Sequence, residues 1–216
     1  MINVIYEDNH LLVVEKPINI PTQEDNTKDK DLLTILKEYI KEKYNKPGNV
    51  YLGLVHRLDR PVGGIMVFAR TSKAASRLSE QVRNKTFKKT YNAVVIGNIE
   101  NTGKLKDYLL KDEKRNIVKV DEKGKEAILN FKKLNFKDNM SLVEINLETG
   151  RSHQIRVQMS HHGYPLFGDQ KYNKNAKVGE QIALFAKKIE FVHPTTNELL
   201  TFELDLPNRY PFIIFI

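Results

Sequence analysis

The chain has 216 residues, 40% of them hydrophobic and 29% charged, with a formal net charge of +8 and no cysteine. Such a balance excludes a disordered chain, and the missing thiols exclude disulfides and thiolate metal sites. The positive excess suits a polyanion such as nucleic acid, although an ordinary basic surface has the same composition. The first residues lack a basic stretch followed by an apolar one, so no signal peptide is expected. No apolar run approaches the length of a membrane span. A monomeric cytoplasmic protein with no membrane partner is the resulting expectation.

In chain order, residues 2–6 and 11–15 cluster apolar side chains like two short strands around Glu7-Asp8-Asn9. Residues 21–30 are polar and are expected to form a loop. Leu32, Ile35, Leu36, Tyr39 and Ile40 recur at helical spacing behind Asp31, a candidate N-cap, and that helix should stop near Asn45, before Pro47-Gly48. Tyr51–Val55 and Gly64–Ala69 are expected as strands. Ser72 is the expected cap of a helix reaching about Lys85, with Ala75, Leu78 and Val82 inward. Lys89–Ile96 alternates as a strand. Residues 103–149 are all strand, with turns at 121–124 and 137–139. Ser152 is the expected cap of a helix to about His162, closed by Gly163. Residues 181–192 and 199–204 complete the strands, and the apolar end, 212–216, suits a terminal strand or a core plug. Strands and helices mix without strict alternation, which points to an α+β fold.

The most informative stretch is His56-Arg57-Leu58-Asp59-Arg60, followed by Pro61-Val62-Gly63-Gly64 and the apolar run 65–69. It sets one carboxylate between two arginines just before a buried strand. Nearby cations favour an ionised carboxylate, which is a plausible nucleophile. Other motifs fail. The glycines at 97 and 103 are wrongly spaced for a P-loop, and Leu105 replaces its Ser or Thr. His153, His161 and His162 have no acidic partner at a useful spacing, so no metal site is expected.

A second match is longer. Gly150-Arg151-Ser152-His153-Gln154-Ile155-Arg156-Val157-Gln158-Met159 is followed by Gly163-Tyr164-Pro165-Leu166-Phe167-Gly168-Asp169. With the Asp59 motif, Val13-Val14-Glu15-Lys16-Pro17 and the strand Lys88–Gly97, the chain resembles the RluA-type family of RNA pseudouridine synthases. The resemblance covers nearly the whole chain, with four motifs in family order.

The resemblance implies a mixed, mainly antiparallel sheet with helices, folded as two lobes around a central RNA-binding cleft. It implies one catalytic domain over 1–216, without a separate N-terminal RNA-binding domain of the S4 type. The implied activity is isomerisation of specific uridines to pseudouridine in ribosomal RNA or tRNA, without cofactor or metal. By motif, Asp59 is the catalytic carboxylate, Arg156 the arginine paired with it, and Tyr91 the tyrosine apposed to the target base. Whether Asp59 attacks sugar or base, or removes a sugar proton, stays open. Arg57 matches the residue that fills the gap left by the extruded base. His56, Arg60, Arg151, His153, Lys88 and Lys89 are the further expected substrate contacts, and Arg77, Arg83, Lys85, Lys171 and Lys174 extend the basic track. On a helix, His153, Arg156 and Ser160 share a face, which is expected to look into the cleft.

Three departures stand out. Asn19 replaces a glycine, and Asn tolerates positive φ. Gly63 replaces a serine, which removes a hydroxyl and is expected to loosen the turn. Gln158 replaces a histidine. Two competing readings are a catalytically idle RNA-binding module on the same fold and a carboxylate glycoside hydrolase. The hydrolase lacks a nominated second acid, because Asp169 is assigned no more than a structural place.

Overall fold

The structure is a computed structural model that describes residues 2–216. The chain divides into two compact units. The first comprises the chain up to Lys88 together with Lys188–Leu204, and the second comprises Lys89–Lys187 with Asp205–Ile216.

In the first unit, β1 (Asn3–Glu7) and β2 (Leu11–Lys16) form an antiparallel hairpin. Its turn is closed by Asp8, whose Oδ1 accepts the backbone N–H groups of His10 and Leu11. Strand β2 pairs antiparallel with β4 (Gly63–Ala69), from Leu11 opposite Ala69 to Lys16 opposite Gly64. All seven residues of β4 are buried, as a continuous apolar run demands. Helix α1 (Leu32–Lys43) starts where expected, with Asp31 accepting the Thr34 N–H at 3.0 Å. Helix α2 (Ser72–Arg83) is capped by Thr71 instead of Ser72, and its buried residues are Ala74 and Leu78. Ala75 and Val82 are partly buried against the same core as Leu11, Val13, Ile65, Val67, Phe87 and Phe191. Of the strand expected over 51–55, two residues pair, as β3 (Gly53–Leu54).

In the second unit, β5 (Lys88–Ile96), β6 (Thr102–Asp112), β7 (Ile117–Val120), β8 (Lys125–Lys137) and β9 (Met140–Leu147) are joined in the order β5-β9-β8-β6-β7, all antiparallel. Expected turns at 121–124 and 137–139 are present, and a further turn, at 113–116, separates β6 from β7. Helix α3 (Gln154–His161) starts later than expected, with His153 at the N-cap in left-handed conformation, φ 51°. The apolar end forms a short 3₁₀ turn, Phe212–Phe215, with Phe212 as the core plug.

Strand β10 (Leu184–Val192) carries the chain from the second unit back into the first, where it pairs with β11 (Leu199–Glu203). Each unit mixes antiparallel strands with helix, which is the α+β class. Among the described residues no helix is long and apolar enough to cross a membrane.

Candidate active site

Asp59 sits in the turn that leads into β4, and the backbone on both sides of it is anchored. Upstream, the Thr22 hydroxyl donates to the Leu58 carbonyl at 2.8 Å and receives the Leu58 N–H at 3.3 Å. Downstream, the Lys16 ammonium donates to the carbonyls of Arg60 at 3.0 Å, Val62 at 2.7 Å and Pro17 at 3.0 Å. The turn itself closes through the Val62 N–H and the Asp59 carbonyl, 2.9 Å apart. Asp59 is half-buried between these two anchors.

Lys16 is 1% exposed. Burial pulls its pKa down to about 8, although the Asp59 carboxylate acts in the opposite direction. A buried ammonium is tolerated because its three protons meet three carbonyls. Thr22 is reachable because Pro21 and Thr22 are buried, unlike the exposed residues 23–30 that follow. The loop expected over 21–30 is therefore pinned at its start.

The departures from the family pattern find their reasons here. Asn19 adopts φ 63°, the turn that its residue type permits. Gly63 does not loosen the turn. A Cβ there would stand 3.0 Å from Ile18 Cγ2 and 3.2 Å from the Lys16 carbonyl, so the glycine lets the chain pack closely.

The neighbours of Asp59 take different places. Arg57 is exposed and makes no hydrogen bond or ion pair among the described residues. Arg60 reaches away to the Thr27 hydroxyl and the Asp29 carboxylate, so it ties down the 23–30 loop. His56, an expected substrate contact, is 7% exposed. It accepts the Val67 N–H at 3.1 Å and packs on Phe87, so its ring serves the core of the unit. Lys88 is exposed at the start of β5. A surface cavity of this unit, lined by Glu24, Asp25 and Asp31 among others, contains none of residues 56–60. Its acidic wall would repel phosphate.

The second unit holds the other motif residues. Tyr91 lies on β5 opposite Ile145 and is 6% exposed. Arg156, on α3, makes a bidentate pair with Asp169: Nε to Oδ2 at 2.9 Å and Nη2 to Oδ1 at 2.7 Å. Both side chains are buried, 7% and 0% exposed. Asp169 is placed by Gly168, whose φ is 67° and where a Cβ would stand 2.5 Å from the Gln181 carbonyl oxygen. Tyr172 completes the cluster. Its ring centroid is 5.2 Å from Arg156 Cζ, its hydroxyl meets His153 Nδ1 at 2.6 Å and the Val118 N–H at 2.9 Å, and its carbonyl accepts the Ser160 hydroxyl at 2.6 Å. The face shared by His153, Arg156 and Ser160 is thus packed on the 169–172 segment.

Two further residues of this motif make hydrogen bonds within the second unit. Arg151 Nε donates to the Glu126 carbonyl at 2.8 Å, and its main-chain N–H donates to Gln154 at 3.0 Å. Gln158 is fully buried and donates to Asp107 at 2.7 Å. Lys16, Thr22, Asp169 and Tyr172 were not singled out as functional from the sequence. The legible signal for Lys16 was a lysine at the end of a strand that opens with four apolar residues, and for Asp169 a glycine immediately before it.

The family model for RNA pseudouridylate synthase matches residues 10–161. A Bacillus subtilis protein described as an uncharacterized RNA pseudouridine synthase, YhcT, is 36% identical over 211 residues, which cover 95% of this chain and 69% of that protein. Ribosomal large subunit pseudouridine synthase C of Buchnera aphidicola is 36% identical over 94% of this chain and 67% of its own length. Among solved structures, human RNA pseudouridylate synthase domain containing 4 superposes with a TM-score of 0.80 at 22% identity, covering 98% of this chain and 90% of that one. At that identity the likeness speaks for the fold alone.

Proposed function

The chain belongs to the RNA pseudouridylate synthase family, and on that premise we propose that it converts specific uridines of ribosomal RNA or tRNA, with Asp59 as the catalytic carboxylate. As a family member it is an isomerase that turns uridine in RNA into pseudouridine. The N1–C1′ bond breaks, a C5–C1′ bond forms, C5 gives up its proton and N1 gains one, so atoms balance without a co-reactant.

The single observation that carries the assignment is the anchoring of the Asp59 turn on both sides, by Thr22 and by Lys16. A carboxylate that must meet one sugar or base atom needs that pre-organisation, because small misplacements cost large factors in rate. Cleavage of the glycosidic bond gives C1′ cationic character that such a carboxylate stabilises. By the same motif resemblance, Tyr91 and Arg156 are read as further catalytic residues, both carried by the second unit. The target base has to leave its stack to be reached, and the exposed fork of Arg57 is suited to take its place. A net charge of +8 supports phosphate binding. The relatives named for the ribosomal large subunit favour ribosomal RNA as the first substrate to examine.

The test compares pseudouridine maps of RNA from cells with the protein, without it, and with Asp59→Asn. At least one uridine should depend on the protein and revert in the variant, while purified Asp59→Asn still binds RNA. Modification at the normal rate in Asp59→Asn would refute the catalytic role. Free uracil and an abasic sugar would indicate a hydrolase instead.

A further inference from the structure

We infer that Lys89 binds a phosphate flanking the target uridine and so sets that nucleotide against the face of β5 that carries Tyr91; this rests on the reading above that the chain acts on uridine in RNA. Side chains alternate along a strand, so Lys89, Tyr91, Ala93 and Val95 share one face of β5, and Lys88, Thr90 and Asn92 the other. Two residues apart on one face is about 7 Å, a separation that one nucleotide bridges between its phosphate and its base. Thr90, on the opposite face, is engaged with Asn146 at 2.9 Å.

Lys89 differs from the other sequestered cations of the chain. Lys16 meets three carbonyls, Arg156 meets Asp169, and Arg209 donates to the Ile182 carbonyl at 3.1 Å. Lys89 is half-buried and has no hydrogen bond or ion pair among the described residues. Burial alone pulls its pKa below the ordinary lysine range. A charge withdrawn from water without a partner destabilises the fold, so retaining one calls for an anion from outside. A lysine that merely solubilises the surface would be placed like Lys88, in water.

A Cβ built on Gly150 would stand 3.5 Å from Lys89 Nζ, an ordinary van der Waals contact, so the amine lies beside the loop that enters α3. A phosphate arriving at this point restores the charged form of the lysine, because an opposite charge favours it. A compact ammonium binds phosphate as a point charge, and arginine in its place would retain part of that function.

The experiment is an NMR titration of the full chain with three probes: uridine, uridine 3′-monophosphate and uridine 5′-monophosphate. One monophosphate should bind about tenfold more tightly than uridine, equivalent to about 1.4 kcal/mol. Lys89→Met should abolish that preference, Lys89→Arg should keep part of it, and Lys132→Met, at an exposed position of β8, should leave it intact. The melting temperature of Lys89→Met should equal or exceed that of the wild type, since an unpaired ammonium has been replaced by an apolar chain. The preference should survive in Asp59→Asn, which separates this inference from the catalytic assignment of Asp59. Four results would overturn it: no preference in the wild type, a preference retained by Lys89→Met, equal loss in Lys132→Met, or inorganic phosphate displacing the monophosphate at equal concentration. A lowered melting temperature in Lys89→Met would assign the lysine to folding and overturn it as well.

Discussion

Around Asp59 the first unit relies on main-chain anchors: Thr22 holds Leu58, and Lys16 holds the carbonyls of Arg60 and Val62. Around Arg156 the second unit relies on side chains: Asp169 grips the guanidinium, and Tyr172 covers it. The first arrangement fixes the path of the backbone on both sides of the half-buried Asp59. The second fixes a charge, and removing any member leaves another buried charge or dipole to be accommodated. Damage should therefore appear as lost rate in the first unit and as lost stability in the second.

The sharpest way to break this contrast is Asp169→Ala. It takes the carboxylate away from a buried guanidinium, and the unfolding free energy should fall by about 3–5 kcal/mol, read by denaturant titration. Replacing both members, Arg156→Met with Asp169→Leu, should restore most of that stability while activity stays lost. If Asp169→Ala is as stable as the wild type, the second unit does not depend on the pair.

Lys16→Met is the matching change in the first unit. It preserves length and apolar bulk, removes a desolvated charge, and leaves three carbonyls without their donor. These opposing terms should keep the stability change below about 2 kcal/mol. Single-turnover rate should nevertheless drop on the order of 100-fold, because the Asp59 turn is no longer held in register. A large stability loss with a normal rate would reverse the contrast.

Tyr172→Phe keeps the ring over Arg156 and removes the hydroxyl that meets the Val118 N–H and His153. Leaving those groups without that partner should cost about 1–3 kcal/mol, with RNA affinity little changed. The check is paired thermal melts and binding isotherms.

A pH dependence also belongs to the first unit. Folded Lys16 titrates at about 8, against an ordinary value of about 10.4. Between these values the unfolded chain binds one more proton than the folded chain, so the contribution of Lys16 to stability rises with pH across that window. Deprotonation leaves two N–H groups for three carbonyls, so activity should decline over the same window. Melting temperature and rate, compared from pH 7 to 10 in wild type and Lys16→Met, should diverge in the wild type alone.

Much of this was legible in the sequence, where the signals are local. Asp31 caps α1 because a short acidic side chain reaches the N–H three residues on. Strand β4 follows from an unbroken apolar run, and the turns at 121–124 and 137–139 from clusters of Asp, Asn and Gly, whereas the turn at 113–116, Glu113-Lys114-Arg115-Asn116, carries no such cluster. The caps of α2 and α3 were displaced by one residue, since Thr71 and Ser72 are equally good caps by type, and His153 adopts a left-handed conformation that its type does not announce. The short β3 was overestimated because five residues with strand character need a partner along their whole length, and β4 meets two of them.

The order of the motifs, the Asp59 segment and the arginine on α3 are properties of the sequence alone, because each is carried by residues close together in the chain. What holds them could be read only from the tertiary structure. Lys16 and Val62 are 46 positions apart, Thr22 and Leu58 are 36, and Arg156 and Asp169 are 13. No helical or strand periodicity links such positions. Whether a buried lysine meets three carbonyls, one carboxylate or nothing depends on which backbone groups the fold brings to its amine. That is why Lys16 is a tether, Arg156 a paired charge, and Lys89 an amine awaiting an anion, although all three are simply basic residues in the sequence.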